Sequence, residues 1–75
     1  MPGAKVSATA TYCGHTLRAE TNVNPQGGWT GQCVVDGPAY KGAVILYAAL
    51  RAPTAALDAL LTAARRSIDQ ARDGA

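Results

Sequence analysis

The sequence predicts an α+β domain, with a four-stranded antiparallel sheet in the order 1-2-3-4 and one C-terminal helix packed on one face. Two observations lead to this prediction. Polar and apolar residues alternate through three successive segments, which is typical of strands with one buried face. Near the C-terminus, apolar residues instead recur at helical spacing. A chain of 75 residues has room for one domain, which we assign to residues 1–75.

The first two predicted strands, residues 5–12 and 15–23, form a hairpin. The two residues between them, Cys13 and Gly14, match a two-residue hairpin loop, and the glycine accepts a positive φ. Pairing the residues on either side of this loop places the apolar side chains of both strands on one face. The loop and the alternation therefore predict the same register.

Residues 29–36 form the third predicted strand, after turn-forming residues from Asn24 to Gly28. With Val23 opposite Trp29, the apolar face continues across three strands. Small side chains lie at the centre of this face, and they leave room for a helix to approach closely.

The segment 39–51 contains an apolar run whose periodicity fits either a strand or a short helix. We favour a strand over residues 43–50, because β-branched and aromatic residues occupy its centre and the third strand leaves a free edge. As a strand, this segment places Ile45 and Tyr47 on the sheet face away from the helix.

The helix is predicted over residues 54–73. Pro53 and Thr54 indicate its start, with Thr54 as the N-cap, and Gly74 indicates its end. Its apolar stripe consists of Leu57, Leu60, Leu61, Ala64, Ile68 and Ala71.

The charge and hydropathy of the chain exclude several classes of protein. The net charge is only +2 and the basic residues are scattered, whereas nucleic-acid-binding proteins usually concentrate them in a stripe. No apolar stretch approaches the roughly 18 residues of a membrane span, and residues 1–10 lack the pattern of a signal peptide. We therefore expect no membrane association and a cytoplasmic location.

The two cysteines are expected to be free thiols. In the predicted register, Cys13 and Cys33 lie ~17 Å apart along the sheet at ~3.3 Å per residue, whereas a disulfide requires Cα atoms within about 7 Å. The same separation argues against a shared metal site. Cys13 and His15 also lack a third group that would orient them as nucleophile and base. We thus predict no catalytic residue, no metal and no cofactor.

Two small polar groups are the remaining candidate sites. Tyr12, His15 and Asp36 gather at one end of the predicted sheet, where we expect a hydrogen-bonded polar rim that closes the core. Lys5 and Arg18 share the outer sheet face and form the best available nucleic-acid surface. With so few cations, that surface is weak.

Several short motifs together resemble small bacterial proteins of uncharacterised function. The motifs are Tyr12-x-Gly14-His15-x-Leu17, Gly27-Gly28-Trp29, Val35-Asp36-Gly37-Pro38, and Pro53-Thr54 followed by Ala64-Arg65-Arg66-Ser67-Ile68-Asp69. The resemblance implies a four-strand-plus-helix domain and a strand in the segment 39–51, but no activity and no site. In strand-then-helix order alone, the chain is also similar to HicB-type antitoxins, whose signature residues it lacks.

The leading functional hypothesis is a small non-enzymatic interaction or accessory regulatory module that acts as a homodimer. A domain of this size buries only about 60% of its chain surface, and oligomerisation is a common remedy. Val34, Ile45 and Tyr47 share the outer face beside a free edge strand, and we expect them in the contact. The alternatives are a weak RNA- or DNA-binding module and an antitoxin-like partner of another small protein.

Overall fold

The computed structural model describes residues 5–74 and contains four strands followed by one helix. These elements are β1 (Lys5–Tyr12), β2 (His15–Val23), β3 (Trp29–Asp36), β4 (Lys41–Leu50) and α1 (Pro53–Asp73). The strands form one antiparallel sheet in the order β1-β2-β3-β4. We call the sheet face that α1 covers the inner face and the opposite one the outer face. The predicted fold class is confirmed, and the ambiguous segment is a strand that begins two residues earlier than predicted.

The first hairpin has the predicted loop and register. Tyr12 lies opposite His15, and the pairing continues without a shift to Lys5 opposite Asn22. Cys13 and Gly14 both have positive φ, 50° and 77°, as a type I′ turn requires at its two central positions. The strand register is thus fixed at the loop.

The core lies between the inner face and one stripe of α1. The predicted pairing of β2 with β3 is confirmed, from Val23 opposite Trp29 to Leu17 opposite Val35. The sheet side of the core consists of fully buried Leu17, Ala19, Cys33 and Val35, and the helix side of Ala56, Leu60, Ala64 and Ile68. Burial of each of the larger aliphatic side chains is worth about 1.5–3 kcal/mol.

The pairing of β3 with β4 is regular over only part of its length. It runs without a shift from Asp36 opposite Lys41 to Gly31 opposite Leu46, but then places Trp29 opposite Leu50. Residues 47–49 of β4 therefore bulge out of the ladder. Gly28 permits this arrangement, because a Cβ there would come within 2.7 Å of the Ala49 Cβ.

No helix within residues 5–74 combines the length and the apolarity that crossing a bilayer requires.

The start of α1 differs from the sequence prediction. Ala52, not Thr54, is the N-cap: its backbone is extended, with φ −134° and ψ 148°, and its carbonyl accepts the first helical hydrogen bond from the Ala56 N–H at 3.1 Å. Pro53 occupies the first helical position, where its missing N–H costs no hydrogen bond. The N-cap side chain makes no hydrogen bond and the first turn has no acidic residue.

The uncapped helix start generates a first prediction. Ala52→Asp should raise the free energy of unfolding by about 1 kcal/mol, because the carboxylate can accept the free N–H groups of the first turn. Thr54→Ala should change it by less than about 0.5 kcal/mol, because Thr54 is exposed and does not cap the helix. Urea unfolding of both variants measures the two values, and a larger loss in Thr54→Ala would contradict the assignment of Ala52.

Candidate interaction surface

The outer face carries a patch of exposed apolar side chains on β3 and β4. Val34 is 41% exposed, Ile45 49% and Tyr47 86%. Val34 pairs with Ala43, which is also exposed, and Ile45 lies two residues further along β4. We call Val34, Ala43, Ile45 and Tyr47 the outer patch. Val34, Ala43 and Ile45 therefore lie close together on the outer face, and Tyr47 follows at the start of the bulge.

Polar side chains border the outer patch on the side of β2. Arg18 pairs with Val34, and Glu20 pairs with Gln32. These four residues line an open depression of about 230 Å³. A second depression, of about 250 Å³, extends from Glu20 and Gln32 to Ile45. The patch is thus apolar towards β4 and carries charges of both signs towards β2.

β4 carries three residues of the outer patch and has a neighbouring strand on one side only. Within residues 5–74, no strand pairs with its other edge. The only charged side chain of β4 is Lys41, whose Nζ lies 3.5 Å from Oδ1 of Asp36. The rest of this edge is uncharged.

The three residues predicted as a polar rim, Tyr12, His15 and Asp36, lie at one end of the sheet but bind different partners. His15 is 1% exposed and belongs to the interior, whereas Asp36 is exposed and pairs with Lys41. Tyr12 lies opposite His15 in the register, but its hydroxyl donates to Oδ1 of Asp69 at 2.8 Å. The three side chains thus make three separate contacts.

His15 ties the loop between β3 and β4 to the first hairpin. Its Nε2 accepts hydrogen bonds from the backbone N–H groups of Ala39, at 3.0 Å, and Tyr40, at 3.2 Å. Nε2 is therefore unprotonated, so Nδ1 carries the hydrogen and donates to the Cys13 carbonyl oxygen at 2.8 Å. Both ring nitrogens are committed to the backbone.

The end of α1 contacts the first hairpin through two side chains that sequence analysis missed. Asp69 accepts from Tyr12, and this hydrogen bond is the main reason that the pKa of Tyr12 is raised. Arg72 Nη1 donates to the Cys13 Sγ at 2.9 Å. Asp69 and Arg72 are three residues apart, so both lie on one side of the helix. This spacing would have predicted contacts with the hairpin only if the direction of α1 across the sheet had been known.

The two cysteines are free, as predicted, and their surroundings differ. Cys13 is exposed in the hairpin loop, whereas Cys33 is buried in the core, where burial raises the pKa of its thiol. Within residues 5–74, no cluster of three or more His, Cys, Asp or Glu side chains could hold a metal ion.

The predicted nucleic-acid surface is partly neutralised. Lys5 Nζ lies 3.4 Å from Oε1 of Glu20. Arg18 is exposed on the same face, but its register position lies four residues from that of Lys5, or ~13 Å at ~3.3 Å per residue. The two cations therefore do not form one phosphate-binding group.

Comparison with protein-family models, with curated proteins and with solved structures finds no match to this chain. The resemblance to small bacterial proteins therefore stays an expectation.

The packing of His15 generates a second prediction, which concerns Gly37. A Cβ at Gly37 would overlap the His15 ring, so Gly37→Ala should lower the free energy of unfolding by about 1–3 kcal/mol. In a His15→Ala background only the Cβ of residue 15, 2.9 Å from the new methyl group, is left to move, so the same substitution should cost clearly less.

Gly42→Ala is the matched control for this cycle. Its new Cβ would meet only the Tyr40 ring, at 3.5 Å or more, which is ordinary contact. The coupling between positions 15 and 37 is measured by urea unfolding of five proteins. These are the unmodified chain, Gly37→Ala, His15→Ala, the variant with both changes, and Gly42→Ala. Equal costs for Gly37→Ala in the two backgrounds would contradict the packing of His15 against Gly37.

The two thiol environments generate a third prediction. A thiol reagent should modify one cysteine per native chain and both after denaturation, because the buried, raised-pKa thiol of Cys33 offers little thiolate to the reagent. Cys13→Ser should abolish the native reaction, as followed by intact mass. Rapid native modification of Cys33 would show that the core opens readily.

Proposed function

We propose that this protein is a non-enzymatic interaction module that acts as a homodimer through the outer patch. The observation that carries the proposal is the exposure of three large apolar side chains of β3 and β4, Val34 at 41%, Ile45 at 49% and Tyr47 at 86%. Monomeric proteins seldom leave such a group of large apolar side chains in water without a partner.

The composition of the chain strengthens this argument. Sixteen residues are alanine and none is phenylalanine, so large apolar side chains are scarce. The outer patch nevertheless uses several of them where they add little to the core. Full burial of a side chain of this size is worth about 1.5–3 kcal/mol, so covering Ile45 and Tyr47 would stabilise a small domain substantially.

The surroundings of the potentially reactive side chains support a non-enzymatic role. His15 is the only histidine of the chain, and backbone groups occupy both of its ring nitrogens in the interior. It is therefore not placed to act as a base on an external substrate. Cys13 contacts Arg72 rather than a base. The proposed location is the cytoplasm, where reducing conditions would keep the exposed Cys13 as a free thiol.

The charges of the outer face favour a protein partner over a nucleic acid. Lys5 is paired with Glu20, and Arg18 lies in the same depression as Glu20. A phosphate backbone requires several cations that are not neutralised by nearby carboxylates. Binding of RNA or DNA, if present, would weaken steeply between about 50 and 200 mM salt, whereas an apolar contact would persist.

The proposed contact generates a fourth prediction. Ile45→Lys with Tyr47→Lys should raise the dimer dissociation constant by about 100-fold, because it removes roughly 3 kcal/mol of apolar burial and brings like charges together. Light scattering and sedimentation velocity over a concentration series measure this constant.

Ser7→Lys with Thr11→Lys is the matched control. It adds the same charges to exposed positions on the outer face of β1, at the opposite edge of the sheet. We expect this variant to dimerise as the unmodified chain does. An unmodified chain that is monomeric at several hundred micromolar would overturn the homodimer, and an unchanged dissociation constant in the first variant would move the contact elsewhere.

A further inference from the structure

We infer that the loop between β3 and β4, residues 37–40, is a proton-controlled segment that is closed while His15 is neutral and opens when the ring takes up a proton. This loop lies at the end of the sheet that carries the first hairpin turn. Its opening does not depend on the proposed homodimer.

The loop depends on one side chain for its backbone hydrogen bonds. The N–H groups of Ala39 and Tyr40 both donate to Nε2 of His15, at 3.0 and 3.2 Å. Within residues 5–74, neither N–H group has another acceptor. The closed position of the loop is therefore tied to the state of this one nitrogen.

The closed loop requires a neutral ring. Nδ1 of His15 already donates its hydrogen to the Cys13 carbonyl oxygen at 2.8 Å, so an added proton must go to Nε2. The new N–H group would then point at the N–H groups of Ala39 and Tyr40, and no acceptor would lie between them. A charged ring and a closed loop are thus incompatible.

No neighbouring side chain offsets a charge on the ring. The titratable and charged side chains on the elements around His15 are Tyr12, Cys13, Asp36, Tyr40, Lys41, Asp69 and Arg72. The carboxylate of Asp69 accepts from Tyr12 and that of Asp36 pairs with Lys41, so within residues 5–74 neither contacts the ring. A charged ring that is 1% exposed would have neither water nor a counter-ion in contact with it.

The loop can open without disturbing the core. Pro38 and Ala39 are exposed, and residues 37–40 belong to neither strand. Asp36 lies opposite Lys41 at the end of the ladder, and their ion pair of 3.5 Å joins the two strands there. Gly37 packs directly on the His15 ring. Outward movement of the loop alone would therefore bring the ring into contact with water.

The sign of the pH dependence follows from these contacts. His15 is the only histidine of the chain, and histidine is the side chain whose charge ordinarily changes between about pH 5 and 8. The closed loop excludes a proton from Nε2, whereas the open loop accepts one. The closed form is therefore favoured at higher pH, and each pH unit below the ordinary titration range of histidine favours the open form by about tenfold.

Amide hydrogen exchange, measured by NMR and expressed as protection factors, tests this device. Lowering the pH from about 7.5 to about 5 should reduce the protection factors of Ala39 and Tyr40 by at least about tenfold. This loss should follow the charge change of the His15 ring, which its own ring signals report. The Gly27 N–H is the internal control, because it donates at 2.8 Å to the Asn24 carbonyl oxygen, which does not titrate. Its protection factor should stay the same.

His15→Gln is the matched variant. A glutamine side-chain oxygen can accept from the Ala39 N–H, but it takes up no proton in this pH range. The protection factor of Ala39 should then be the same at both pH values. If this variant does not fold, the comparison of Ala39 with Gly27 in the unmodified chain, together with the ring signals, still decides the question.

Three results would contradict the device. Unchanged protection of Ala39 and Tyr40 at about pH 5, with the ring charged or neutral, would overturn it. An equal loss at Ala39, at Gly27 and at the buried Leu60 of α1 would show acid unfolding of the whole domain instead of loop opening. A pH dependence that persists in His15→Gln would assign the proton to another group.

Discussion

One helix can cover only one face of a four-stranded sheet, and the main features of this molecule depend on that constraint. α1 buries the inner face through a narrow stripe from Ala56 to Ile68, and the small side chain of Ala19 on the sheet side leaves room for it to lie close. The outer face and both edge strands then have no cover from the rest of residues 5–74. The polar side chains on the outer face of β1 and β2 are stable in contact with water. The apolar side chains of Ile45 and Tyr47 on β4 are exposed there and gain no free energy from burial.

The position of α1 is fixed at both of its ends. At its start, only Arg51 and Ala52 separate it from β4, so the helix must turn back directly over the sheet. At its end, Asp69 and Arg72 bind the first hairpin through Tyr12 and Cys13. These contacts are exposed and individually weak, but they join segments that lie far apart in the chain. They align the buried stripe with the inner face rather than supply most of its stability.

Sequence analysis predicted the features that depend on local periodicity. A period of two fixes which residues of β1, β2 and β3 face inwards, and the two-residue loop at Cys13 fixes the register. Features that depend on distant contacts were missed. The hydrogen bond from Ala39 to His15 could be predicted only if the position of the loop after β3 were known. Pro53 was placed before the helix in the prediction, so Thr54 and not Ala52 was assigned as the N-cap. The bulge in β4 depends on Gly28, which the sequence marks only as a turn residue.

The apolar residues of β4 fall into two groups: those that pack against the core and those that are exposed. Val44 and Leu46 point inwards and pack against the core, so their apolar character follows from folding alone. Ile45 and Tyr47 alternate with them and point into water, where a threonine or lysine would keep the strand and improve solubility. Packing within the chain therefore does not account for these two side chains. The proposed contact with another surface would account for them.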